Sequence, residues 1–146
     1  MSTKDGQRLT VKDGFLWPVR VYYEDTDAAG IVYHANYLRF MERARTEWLR
    51  ALGFEQDVLA RDHGVVFVIT AATLAFKRAA RFNDELVVRS TLAALRGASI
   101  DFAQTITDRL GSTLCTARNV VACVTRTSLQ PRRIPAAMME IFKGGD

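Results

Sequence analysis

The sequence predicts an α+β fold, one antiparallel sheet wrapped around a single long central helix. Two patterns lead there. At 100° per residue, residues 35–52 gather Tyr37, Leu38, Phe40, Met41, Ala44, Trp48, Leu49, Ala51 and Leu52 on one arc of roughly 180°. An arc that wide exceeds what a surface helix needs, so a sheet must grip much of the circumference. Beyond residue 64 the apolar period changes to two, over four successive segments punctuated by Gly-containing turns.

The elements follow in chain order. "MSTKDGQRLTVKDGF" is polar and lacks the apolar centre of a secretory signal. It reads as a loose tail, 1–15, ahead of one domain over 16–143. "LWPVRVYY" (16–23) reads as a strand, with Pro18 near its start where a missing N–H is tolerated. Val19, Val21 and Tyr23 share one face of it; Arg20 and Tyr22 share the other. The long helix then ends at Gly53. A short helix, 56–62, leads to a turn at His63-Gly64. Strands follow over 65–78, 84–95 (Leu86, Val88, Leu92 and Ala94 on one face), 98–108 (Ile100, Phe102, Gln104 and Ile106 alternating) and 112–127. Arg96-Gly97 and Leu110-Gly111 mark tight turns. "QPRRIP" breaks the pattern, and 136–144 forms a last helix after Pro135.

Composition narrows the function classes. The chain is long enough for one domain with its own core. No apolar run approaches the roughly 18 residues of a membrane span. A net charge of +4 is too mild to argue for nucleic acid, but it favours an anionic small partner. Cys115 and Cys123 fall on one strand, roughly 26 Å apart. A disulfide needs Cα atoms within about 7 Å, so these read as free core thiols, which fits a cytoplasmic protein.

The chemistry-bearing stretch is "EDTDAAGIVYHANY", 24–37. Glu24, Asp25 and Asp27 crowd the entrance to the helix, and three explanations compete. Carboxylates cap free N–H groups at a helix start. Clustered oxygens bind metal, although the full ligand set for calcium is missing and only one histidine is near. A carboxylate beside the positive helix N-terminus also activates water or attacks an acyl carbon, while the helix amides hold the oxyanion. Gly30 lets the backbone pass close to a ligand. His63 reads as a turn residue. Arg45 falls inside the apolar arc, where a guanidinium needs a partner; Glu42, one turn back, is the local candidate.

From Trp17 to Phe54 the chain strongly resembles the hotdog-fold acyl-CoA thioesterases. It is similar above all to their tol-pal system-associated branch, related to 4-hydroxybenzoyl-CoA thioesterase. The family pattern, an aromatic strand end then D-x-D-x-x-G-x-V-Y-H-x-x-Y, is met by Tyr23, Asp25, Asp27, Gly30, Val32, Tyr33, His34 and Tyr37. Ala29 departs from it, since glycine is common there. The resemblance covers roughly residues 17 to 143. It implies a hotdog fold that hydrolyses acyl-CoA to free acid and coenzyme A, without metal or further cofactor. Asp27 is then the general base or nucleophile, and the helix start near His34 polarises the carbonyl. Tyr23 belongs to the same site, and Gly30, Val32 and Tyr33 contact substrate. Lys77, Arg78 and Arg81, otherwise a solvated strand-to-strand turn, contact the coenzyme phosphates, with Arg132 and Arg133 as weaker candidates. The alternatives are an acyl carrier protein thioesterase and a non-catalytic acyl-binding or scaffold protein of the envelope system. The family assembly implies a homodimer or homotetramer, with no nucleic acid partner and no membrane span.

Overall fold

The period-two segments form the inner face of a five-stranded antiparallel sheet that curls around one helix. The computed structural model describes residues 11–144. Its elements are β1 (Phe15–Arg20), α1 (His34–Ala51), α2 (Gln56–His63), β2 (Val65–Phe76), β3 (Glu85–Leu95), β4 (Ser99–Asp108), β5 (Thr113–Thr125) and α3 (Ala136–Phe142). The sheet order is β1-β3-β4-β5-β2, with every pairing antiparallel. This is the expected α+β layout.

The wide arc on α1 is gripped as its width requires. Tyr37, Phe40, Met41, Ala44, Trp48 and Leu49 are buried. Phe40 and Met41 are fully enclosed, each contributing about 2–3 kcal/mol by burial. The core falls into two apolar clusters along the helix. One gathers Val21, Val32, Phe40, Leu86, Val88 and Ile106 near its start. The other gathers Trp48, Ile100, Phe102, Cys123 and Met138 near its end. Between them lies a polar layer. Gln104 donates through Nε2 to the Met41 carbonyl (3.0 Å) and Ser90 Oγ (2.9 Å), and accepts at Oε1 from Arg45 Nη1 and Asn119 Nδ2, both at 2.9 Å. All four hydrogen-bonding sites of that buried amide are thus used.

The structure departs from the expected outline in four places. β1 stops at Arg20, and Tyr23–Asp25 form a 3-10 turn in place of a strand end. Segment 77–84 is a crossover between opposite ends of the sheet, since β2 pairs with β5 and β3 with β1 and β4. A bulge between Leu92 and Ala94 shifts the face of β3, so Leu95 packs on the second cluster in place of Ala94. Residues 1–10 of the expected tail lie outside the described residues; Val11 is buried, and Phe15 stacks against Trp17 and Trp48. Among the described residues, packing on the core therefore already includes Val11. No helix among the described residues is long and apolar enough to cross a membrane.

Candidate active site

The two aspartates of the entrance turn have opposite environments. Asp25 is 3% exposed. Its Oδ2 accepts the Tyr22 amide (2.8 Å), and its Oδ1 accepts Asn36 Nδ2 from the first turn of α1 (2.7 Å). The Asp25 carbonyl also accepts the Tyr33 amide (2.9 Å). Asp25 therefore ties the end of β1 to the start of α1, and both carboxylate oxygens are occupied. It caps the 3-10 turn, because no side chain caps α1. Asn36 is a partner that the sequence pattern did not single out.

Asp27 is exposed and opens the turn 27–30. The Gly30 amide donates to its carbonyl and its own amide to the Ile31 carbonyl, both at 2.9 Å, while Thr26 bridges Val32. Gly30 has φ +81°, so the glycine is required by the turn itself, and open space surrounds the position of a Cβ there. One carboxylate oxygen, Oδ1, accepts the Ala29 amide (2.9 Å). No hydrogen bond among the described residues reaches Oδ2. Asp27 is thus held by one oxygen with the other available.

The helix N-terminus lies next to this turn. Tyr33 enters α1 in extended conformation, no acidic residue occupies the first turn, and Asn36 N–H returns to the Tyr33 carbonyl (2.8 Å). The His34 and Ala35 amides therefore lead the helix without a side-chain cap, carrying its positive end. A carboxylate and an amide-tipped helix start on one short loop can perform base or nucleophilic attack and oxyanion stabilisation together.

The other expected residues divide. His34 is exposed, packed on Tyr33 (4.4 Å between rings) and edge-on to Phe76 (6.4 Å). No hydrogen bond among the described residues joins it to Asp27. Tyr23 is 80% exposed and lies edge-on to Phe82 at 5.5 Å. Val32, grouped above with the substrate contacts, is buried in the core, and its amide donates to the Ala80 carbonyl (2.8 Å). The crossover passes over this point: Ile31 bridges Arg81, and Ala80 N–H donates to Tyr37 Oη (3.2 Å). Burial raises the Tyr37 phenol above its ordinary value. Lys77, Arg78 and Arg81 are accordingly carried to the entrance of α1, all exposed. Arg132 and Arg133 are not: they lie beside Gly64 and Gly97, beyond the other end of β2. Phe76 and Phe82, the aromatic neighbours of the site, carry no signal in the sequence, because Phe76 reads as an ordinary residue of a strand, β2, and Phe82 lies in the crossover.

A cavity of about 310 Å³ opens along α1, between Leu38, Leu49, Phe67, Ile69 and Phe102. Arg45 borders it. Its bonded partner is Gln104, not the expected Glu42, and its guanidinium lies 5.9 Å from the Phe102 ring centre. Burial lowers its pKa, and the Glu42 charge opposes that without a bond. Among the described residues no group of three His, Cys, Asp or Glu side chains converges as a metal site.

Comparison with known proteins gives a consistent result. The family model described as "Thioesterase-like superfamily" matches residues 21–142. The acyl-CoA thioester hydrolase YbgC of Escherichia coli is 43% identical over 129 residues, 88% of this chain and 96% of that protein. The acyl-CoA thioesterase YbgC of Haemophilus influenzae is 42% identical over 130 residues, 89% of this chain and 95% of that one. A probable thioesterase from Bartonella henselae, solved by crystallography, superposes with a TM-score of 0.80 at 36% identity, over 84% of this chain and 99% of that one.

Proposed function

The chain belongs to the thioesterase-like superfamily, and on that premise we propose that it is an acyl-CoA thioesterase that cleaves the thioester to a free acid and coenzyme A. The observation that carries the residue assignment is Asp27, an exposed carboxylate held by one oxygen beside an uncapped helix start. In this reading Asp27 attacks the acyl carbon or deprotonates the attacking water. The His34 and Ala35 amides stabilise the negative charge on the carbonyl oxygen. By the base route Asp27 takes a proton from water, the hydroxide adds to the acyl carbon, and the C–S bond breaks as that proton passes to the leaving thiolate. By the nucleophile route the thiolate leaves as a mixed anhydride forms on Asp27, and water then cleaves the anhydride, freeing the carboxylate and the acid and supplying the proton of the thiol. His34 and Tyr23 bound the acyl group, with Phe76 and Phe82 behind them. Gly30 and Tyr33 shape the approach, and Val32 contributes its backbone. Lys77, Arg78 and Arg81 receive the phosphates of the coenzyme. No metal or cofactor enters the scheme.

The assembly and placement belong to the same proposal. β2 is an edge strand with no charged residue from Val65 to Phe76, and Ile69 (47%) and Phe76 (53%) are exposed on it. Unprotected apolar edges of that length pair with another chain. The open β2 edge supports a homodimer, or a homotetramer of such pairs; a cytoplasmic location and membership of the tol-pal system-associated branch are part of the same proposal, supported by the free core thiols and by the motif of residues 23–37. A second carrier is favoured by one observation: the exposed Lys77, Arg78 and Arg81 suit an acidic acyl carrier protein as well as coenzyme A. Release of free thiol from short, long and aromatic acyl-CoA esters tests the activity. Release from acyl carrier protein thioesters alone would transfer the substrate to that carrier, and no release from either would reject the proposal.

A further inference from the structure

Tyr37 keeps a hydroxyl where the core would accept a plain phenyl ring. The residue is 3% exposed, and its ring packs edge-on to Phe40 (6.3 Å between ring centres) and tilted against Phe76 (5.6 Å). Phenylalanine would fill the same space with no polar atom to satisfy. A buried tyrosine hydroxyl usually has a partner. Here the partner is the main chain of the crossover: Tyr37 Oη accepts the Ala80 N–H at 3.2 Å. Ala80 is fully buried and lies between β2 and β3, so no sheet ladder satisfies that N–H.

The other polar group of Ala80 is turned to the site. Its carbonyl accepts the Val32 N–H (2.8 Å), and next to it Ile31 bridges Arg81. Val32 bridges Thr26 in turn, and the Asp27 N–H returns to the Ile31 carbonyl (2.9 Å). Segments 26–27, 31–32 and 80–81 thus form a small three-stranded ribbon outside the main sheet, with Asp27 at its turn. Both outer strands of this ribbon are tied to α1. Asp25, just before the first, accepts Asn36 Nδ2, and Ala80, in the second, donates to Tyr37. His34 and Ala35 lie within one turn of both ties.

We propose that Tyr37 is a positioning residue for the reaction at Asp27. Its hydroxyl fixes Ala80, Ala80 fixes Val32, and the ribbon anchored in this way holds the Asp27 carboxylate at a set distance from the helix-start amides. The hydroxyl touches no reacting atom and acts through main chain alone. The inference rests on the assignment of Asp27 made above. It matters for rate because a misplacement of about 1 Å at a reacting group costs up to about 100-fold.

The test is Tyr37→Phe in the full chain, which keeps the ring and removes one acceptor. Thiol release from acyl-CoA, assayed well below the melting point, should show kcat lowered about ten-fold with KM within about two-fold of wild type. One stranded N–H should lower Tm by roughly 3–9 °C. Amide hydrogen exchange reads the clamp without turnover. In wild type the Val32 and Ala80 amides should exchange slowly, and in Tyr37→Phe the acceleration should be confined to 26–33 and 77–84, with β4 and β5 unchanged. A merely structural role would lower activity only in proportion to the unfolded fraction and would accelerate exchange throughout the sheet. Wild-type kcat in folded Tyr37→Phe overturns the proposal, as does fast exchange of Val32 and Ala80 in the wild-type protein, a result that stands even if the variant fails to fold. No thiol release from wild type, with slow exchange at both amides, would instead remove the Asp27 reading, and this proposal with it.

Discussion

Replacing Asp25 with alanine should unfold the site from its scaffold side, whereas replacing Asp27 should leave the fold intact. Asp25→Ala removes two hydrogen bonds to an enclosed carboxylate, from the Tyr22 amide and from Asn36 Nδ2. Bonds to a charged acceptor are worth about 1.5–3 kcal/mol each, so the loss is about 3–6 kcal/mol. The Tyr33 bond to the Asp25 carbonyl is made by main chain and survives. For a chain of this size each kcal/mol moves Tm by roughly 3 °C, which gives a drop of about 9–18 °C. Asp27→Asn keeps an acceptor for the Ala29 amide at an exposed position and should shift stability by no more than about 0.5 kcal/mol. Thermal melts followed by circular dichroism, at one fixed protein concentration, measure both. A Tm for Asp25→Ala within about 2 °C of wild type, or an equal fall for Asp27→Asn, would refute the division of labour.

Other consequences follow from the same structure. Gln104→Ala opens the polar layer and strands Arg45 Nη1 and Asn119 Nδ2, so denaturant titration should show a loss of about 3–5 kcal/mol. Burial pushes the Cys115 thiol up to about 11, from an ordinary 9.0, and raises Cys123 as well, with the Arg132 charge opposing. Both should stay silent to a disulfide reagent in the native protein and react once guanidinium unfolds it. Because the folded value is the higher one, the Cys115 contribution to stability is whole below pH 9.0 and fades as pH rises towards 11. Urea midpoints measured from pH 8 to 11 should therefore fall across the upper half of that range. Ala71→Lys puts a charge on the open β2 edge and should weaken self-association by on the order of 100-fold in light scattering. A wild-type protein that is already monomeric at micromolar concentration would contradict the assembly.

The long helix was legible nearly to the residue, 35–52 against His34–Ala51, because its apolar arc is wide and Gly53 stops it. The last four strands were legible for the same reason: period two is a local property. Sheet order was not. Nothing within "FKRAARFNDE" says that β2 leaves one edge and β3 enters beside β1; that depends on α1 carrying the chain across the sheet. The end of β1 was misread because Val19, Val21 and Tyr23 continue the alternation, while Asp25 captures the Tyr22 amide and turns the backbone. The partner of Arg45 was out of reach of helical spacing, since Gln104 comes from the facing strand. At the site, the three carboxylates were visible as a cluster, but which one is buried and which is exposed is a tertiary fact. Val32 shows the same limit: it lies inside the motif, yet a bridge to Thr26 turns its side chain into the core.

The central claim is that Asp27 performs the hydrolytic step. The most direct measurement is the turnover of acyl-CoA by wild type and Asp27→Asn, with melting curves confirming that both are folded. The account predicts a fall in kcat of about 10²–10⁴-fold with Tm unchanged. A folded Asp27→Asn variant that turns over acyl-CoA at the wild-type rate would contradict it.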